Sequence, residues 1–143
     1  MESFAYLATA HTPDHDQACL VELRCTRRDL LTYAPFQQLA ESICQCLLEC
    51  PPKQEPKYLD RDNIPTQDRD KLYADCRRET LRRGIPEDDV PEYTASLLQE
   101  RLGKLCLHEL TFAGKSVAAH LAELSRSFGP VFIGRFFKVT AYD

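Results

Sequence analysis

The hydrophobic period of this chain changes twice, and that change constrains its fold more than any single motif does. Ser3 to Ala10 places Phe4, Tyr6 and Ala8 on one side, and Ala18 to Cys25 sets Val21, Leu23 and Cys25 opposite Leu20, Glu22 and Arg24. Alternation with period two marks half-buried strands. The intervening HTPDHDQ has a turn dipeptide in Pro13-Asp14, so an antiparallel hairpin is the economical connection. Beyond Thr32 the period becomes helical. Over Val131 to Tyr142 (VFIGRFFKVTAY) it gives way to β-branched and aromatic residues that predict a strand, its first half suited to burial on both faces.

Three or four helices fill the middle. Thr32 to Cys50 repeats Phe36, Leu39, Ala40, Ile43, Cys46, Leu47 and Cys50 at helical spacing. Pro35 sits in its first turn, where a missing N–H costs nothing, and Pro51 and Pro52 end it. A second helix runs from Thr66 to Gly84, acidic at its start and basic at its end as the helix dipole favours, with a narrow stripe of Leu72, Tyr73, Cys76 and Leu81. A third begins near Pro91 and buries Tyr93, Leu97, Leu98, Leu102 and Leu105, while Cys106 to Phe112 fits either period. The last, Lys115 to Arg126, repeats Val117, Ala118, Leu121 and Leu124, takes Ser116 as N-cap and stops at Gly129-Pro130. This order predicts an α+β fold: a small, mostly antiparallel sheet of N-terminal hairpin plus C-terminal strand, with three to four helices packed on one face.

The length of 143 residues suits a single domain over 1–143, crossed by a Pro-rich connector at 51–65 (PPKQEPKYLDRDNIP). The apolar runs fall short of the roughly 18 residues that a membrane span needs, and MESFAYLATAH has no basic stretch ahead of an apolar one. A soluble, intracellular, cytoplasmic protein with no membrane attachment is expected. Seven cysteines is an odd number, which points to free thiols in a reducing compartment rather than a disulfide framework. A net charge of −4 argues against broad electrostatic attachment to nucleic acid, though not against a local basic patch.

The densest thiol cluster is Cys44-Gln-Cys46-Leu-Leu-Glu-Cys50. On a helix Cys46 and Cys50 share a face and could fill two positions of a tetrahedral zinc, with Cys76 and either Cys106 or His108 completing the set. Core packing of the same cysteines is the competing account, and the paired C-x2-C spacings usual for zinc are absent. His11 and His15 with Asp14 and Asp16 could make a metal or acid–base site, although a polar turn uses the same residue types. Ala113-Gly114-Lys115-Ser116 looks like the end of a phosphate loop, but Glu109 stands where the first glycine is required, and its carboxylate would repel phosphate. Arg77, Arg78, Arg82 and Arg83 crowd the end of the second helix and are the partner-binding candidates, for an acidic protein surface or for phosphate. A helix-turn-helix-like segment over 91–128 is a second candidate for nucleic acid.

No residue pattern stands out as catalytic. The chain is therefore read as a non-enzymatic binding or regulatory protein, or a small subunit of an assembly, that engages a macromolecular partner through an exposed sheet edge and the charged helix 66–83. A protein partner is expected, and an edge strand could also pair with its own copy to make a homodimer. The alternatives are a nucleic-acid-binding protein using the four arginines or segment 91–128, and a zinc-binding or thiol-dependent protein. Zinc is the one cofactor this sequence brings into question.

Overall fold

The computed structural model describes residues 2–51 and 54–141. Its elements are β1 (Phe4–His11), β2 (Gln17–Cys25), α1 (Ala34–Glu49), α2 (Thr66–Arg82), α3 (Val90–Lys104), β3 (Thr111–Phe112), β4 (Lys115–Ser116), α4 (Val117–Phe128) and β5 (Val131–Thr140). Pro52 and Tyr142, expected at the ends of the first helix and the last strand, lie outside the described residues. A small antiparallel sheet with four helices makes the chain α+β. No described helix is long and apolar enough to cross a membrane. The chain divides into two compact units, one of Met1–Glu55 with His108–Asp143 and the other of Pro56–Leu107, a division that length and apolar period do not reveal.

The first unit is built on the sheet β1-β2-β5, antiparallel throughout. The hairpin pairs Phe4 with Cys25 and His11 with Ala18. Its turn is closed by Thr12, whose N–H donates to the Gln17 carbonyl at 3.0 Å and whose hydroxyl donates to Asp16 at 2.6 Å. α1 packs on β1 and β2, and α4 on β5. The inner face of the sheet presents Ala8, Cys19, Val21, Leu23, Cys25, Val131 and Ile133, all buried, against Phe36, Leu39, Ile43, Cys44 and Leu47 of α1 and Val117 and Leu121 of α4. Removing the valine, leucine, isoleucine and phenylalanine side chains among these from water stabilises the fold by about 1.5–3 kcal/mol each. α4 starts where the sequence places its cap: the Ser116 hydroxyl accepts from the Ala119 N–H at 3.1 Å.

One irregularity decides what this sheet shows to its surroundings. Leu23 pairs with Ile133 and Glu22 with Arg135, so Gly134 is an extra residue, a β-bulge in β5. A strand has period two, and one inserted residue exchanges its faces. Before the bulge Val131 and Ile133 point to the core. After it, Val21 pairs with Phe136 and Cys19 with Lys138, which turns Lys138 inward and leaves Phe137 and Val139 on the outer face. The first half of β5 also differs from the expectation of burial on both faces: Phe132 is 40% exposed, because the helices cover the inner face alone.

In the second unit α2 and α3 pack on each other. The buried stripe of α2 runs through Cys76 and Thr80 with Leu72 partly covered, whereas Tyr73 and Leu81, expected in the stripe, are exposed. Positions 72, 76 and 80 are spaced by one helical turn, and a threonine among them hides the stripe from an apolar-period reading. The hydroxyl of Thr80 donates to the Cys76 carbonyl at 2.8 Å and accepts from Thr94 of α3 at 3.1 Å, so both buried hydroxyls are satisfied. Part of the Pro-rich connector belongs to this unit. Tyr58 bridges to Cys106, Asp60 and Asn63 form a capping box, and Ile64 is buried with Leu102 and Cys106. Cys106 to Phe112 is neither a continued helix nor a full strand: Leu107–Glu109 is a 3-10 turn, followed by the two residues of β3.

Candidate functional site

The outer face of the sheet is the first surface available for work. Cross-strand pairing sets His11, Ala18 and Val139 in one row, Thr9, Leu20 and Phe137 in the next, then Leu7, Glu22 and Arg135, then Ala5, Arg24 and Phe132. Leu7, Phe137 and Val139 are 50%, 49% and 55% exposed, which is unusual for side chains of this size on one face. Glu22 crosses the middle of the face, pairing with Arg24 at 3.0 Å and with Arg135 at 3.1 Å, and Ser3 accepts two further bonds from Arg24. This ion triad lies beside the rows that carry Phe137 and Val139. β1 and β5 are both edge strands of the sheet, so the same face is flanked by two edges.

Lys138 is the residue that the sequence reading missed. Its side chain is only 2% exposed. The Lys138 ammonium donates to the carbonyls of Leu48 at 3.1 Å and Cys50 at 2.6 Å, at the C-terminal end of α1, where the helix dipole favours a cation. It also faces the Glu55 carboxylate at 3.6 Å, and the Glu55 Oε2 atom is buried with no hydrogen bond of its own. A lysine among β-branched and aromatic neighbours gives no sequence signal of burial, since the inward turn depends on the bulge at Gly134.

The cysteines are all free thiols. Cys19, Cys25 and Cys44 are buried in the first unit, and Cys46 and Cys50 are half-buried on α1; Cys76 and Cys106 are buried in the second unit. Burial pushes the Cys19 thiol up to about 12, with the neighbouring Cys44 adding to the shift, and pushes Cys44 up to about 11. Burial likewise raises Cys25, Cys46 and Cys50. Thiols held protonated at neutral pH are poor nucleophiles. Of the five zinc candidates, Cys46 on α1 and Cys50 at its C-terminal end lie one turn apart, and each sulfur donates to a backbone carbonyl, Thr111 for Cys46 and Cys46 for Cys50. His108 is half-buried in the first unit, and Cys76 and Cys106 lie in the second. Among the described residues no group of three or more His, Cys, Asp or Glu has an arrangement able to hold a metal ion. In the hairpin turn the His11 and His15 rings stack with centroids 4.5 Å apart.

The arginines at the end of α2 are joined by Arg101 of α3, which the sequence did not single out. Arg78 pairs with Asp75 at 3.1 Å, Arg82 lies 3.8 Å from Glu79, and Arg83 pairs with Glu79 at 3.0 Å while donating to the Tyr93 hydroxyl. Arg101 of α3 reaches the same Glu79 carboxylate. Arg77 is exposed. Asp75, Arg78, Glu79, Arg82 and Arg101 together line a recess of about 440 Å³. The participation of Arg101 could not be read from spacing, because it is distant in sequence and comes from another helix. No protein-family model matches the chain, and no curated protein matches it in sequence.

Proposed function

We propose that this chain is a non-enzymatic binding protein, a small subunit of an assembly, that engages a protein partner. In the first unit the working surface is the outer sheet face with its edge strands; in the second it is the charged face of α2. The observation that carries the reading is the outward placement of Phe137 and Val139 by the bulge at Gly134. A regular strand would bury these two side chains and expose Lys138. The bulge instead keeps apolar side chains exposed on a face flanked by the two edge strands β1 and β5. Large apolar groups held in water on one face are a feature of interaction surfaces, and the Glu22–Arg24–Arg135 triad gives such a surface a polar register mark. A second copy of the chain seated on the same face is the homodimeric form of this reading.

The test is the native mass of the tagged chain purified gently from its host, beside a Phe137→Ser/Val139→Ser variant with the same melting temperature. A stoichiometric heavier species in the parent that the variant loses is the expected result. A parent found only at monomer mass, or a complex that the variant retains in full, would contradict the reading.

A further inference from the structure

We propose that the arginine-lined recess of the second unit binds a compact phosphate anion of pyrophosphate size, either as free pyrophosphate or as the polyphosphate end of a nucleotide. The inference goes beyond the proposed function: it gives the charged face of α2 a small-anion ligand and does not depend on the protein partner proposed above. The sheet face plays no part in it.

The charge count in the recess does not balance. The lining sets Arg78, Arg82 and Arg101 against Asp75 and Glu79, an excess of one positive charge, and the Glu79 carboxylate is shared further with Arg83, which lies outside that lining. Glu79 is largely covered, its side chain 18% exposed, and it lies beneath the arginines as an anchor. Arg78 and Arg82 are 77% and 79% exposed and pair with carboxylates through a single nitrogen each, so donors of their five N–H groups remain for a ligand. Planar guanidiniums suit phosphate because two parallel N–H groups can meet two of its oxygens. Arg101 is held by Glu79 and by a long approach to the Cys76 sulfur, at 4.0 Å, which fixes one wall. A compact phosphate anion would offset this excess and fit a recess of about 440 Å³.

The surrounding charges favour a compact ligand over an extended strand of nucleic acid. Glu87, Asp88 and Asp89 follow α2 in a 3-10 turn, and Glu92 lies in the first turn of α3. A polyanion running past the end of α2 would meet this acidic run, whereas a ligand confined to the recess would not.

The experiment is isothermal titration of the full chain at low salt with pyrophosphate, with ADP, and with a single-stranded oligonucleotide lacking a terminal phosphate. Saturable one-to-one binding of pyrophosphate is expected, weakened about tenfold by Arg78→Gln and again by Arg82→Gln at unchanged melting temperature. Asp75→Asn, which releases Arg78 from its carboxylate, is expected to tighten binding by up to about fivefold, an effect that a purely structural ion-pair network would not produce. ADP binding as well as pyrophosphate identifies a nucleotide as the source, and exclusion of ADP identifies the free anion. Three results would overturn the proposal: no saturable pyrophosphate binding, binding unaffected by the double arginine variant, or oligonucleotide binding that pyrophosphate fails to displace. None of them bears on the Phe137→Ser/Val139→Ser comparison, so the two readings can fail separately.

Discussion

Replacing Lys138 by methionine probes the consequence of the bulge most sharply, because methionine keeps the length and flexibility of the stem and deletes only the charge and its donors. Two hydrogen bonds from an ammonium to the carbonyls of Leu48 and Cys50 are lost, and the Glu55 carboxylate loses the cation 3.6 Å away. Removing one partner of a fully buried ion pair costs about 3–5 kcal/mol. Glu55 is 26% exposed and can turn partly to water, and removal of the buried ammonium relieves its own desolvation, so the lower end of that range, about 3 kcal/mol, is expected. Urea denaturation at unchanged slope, followed by circular dichroism, measures it. In the Lys138→Met background, Glu55→Gln should recover about 1 kcal/mol, because it removes the stranded charge. A loss below about 1 kcal/mol for Lys138→Met, or no recovery by Glu55→Gln, would refute the assignment of Lys138 as an inward cap of α1.

Three further outcomes follow from the same structure. Ser116→Ala removes the N-cap bond to Ala119 and should cost about 1 kcal/mol in the same assay, with Ser116→Asp nearly neutral. Gly129 closes α4 at φ 76 and ψ −174, a region that residues with a Cβ avoid, while the nearest atom to an added Cβ is 3.6 Å away; Gly129→Ala should therefore cost about 1–3 kcal/mol from the backbone alone. Cys19 and Cys44 are raised from 9.0 to about 12 and about 11, so the folded chain holds thiol protons that the unfolded chain releases above pH 9. Their contribution is complete below pH 9 and is lost as pH rises towards those values, so the urea midpoint should fall between pH 8 and pH 11 more steeply in the parent than in a Cys19→Ala/Cys44→Ala variant.

Much of the fold was legible because it is written in local periodicity. The hairpin β1–β2, the buried face of α1 from Phe36 to Leu47 and the cap at Ser116 all follow from spacing and residue type over a few positions. What escaped the sequence depends on one inserted residue or on a distant partner. Gly134 reads as an ordinary strand glycine until its pairing is known, and with it go the inward turn of Lys138 and the outward turn of Phe137 and Val139. The Thr80–Thr94 hydroxyl pair occupies core positions that a hydrophobicity pattern assigns to leucine, so that pattern finds Leu72 and Cys76 in the stripe of α2 but adds the exposed Tyr73 and Leu81 in place of Thr80. Of the candidate site, the cluster Arg77, Arg78, Arg82 and Arg83 was visible as composition. Its counter-charge at Glu79 is local, one helical turn away, whereas its extension to Arg101 arises only when α3 packs against α2.

The use of the outer sheet face is tested most directly by photo-cross-linking in the host cell. A photoreactive phenylalanine analogue is placed at Phe137, and in a second strain at Ala122, which is exposed on α4. A single adduct of defined mass from position 137, weak or missing from position 122, is the predicted result, whether the captured chain is another protein or a second copy. No adduct from position 137, or the same adduct in equal yield from both positions, would contradict it.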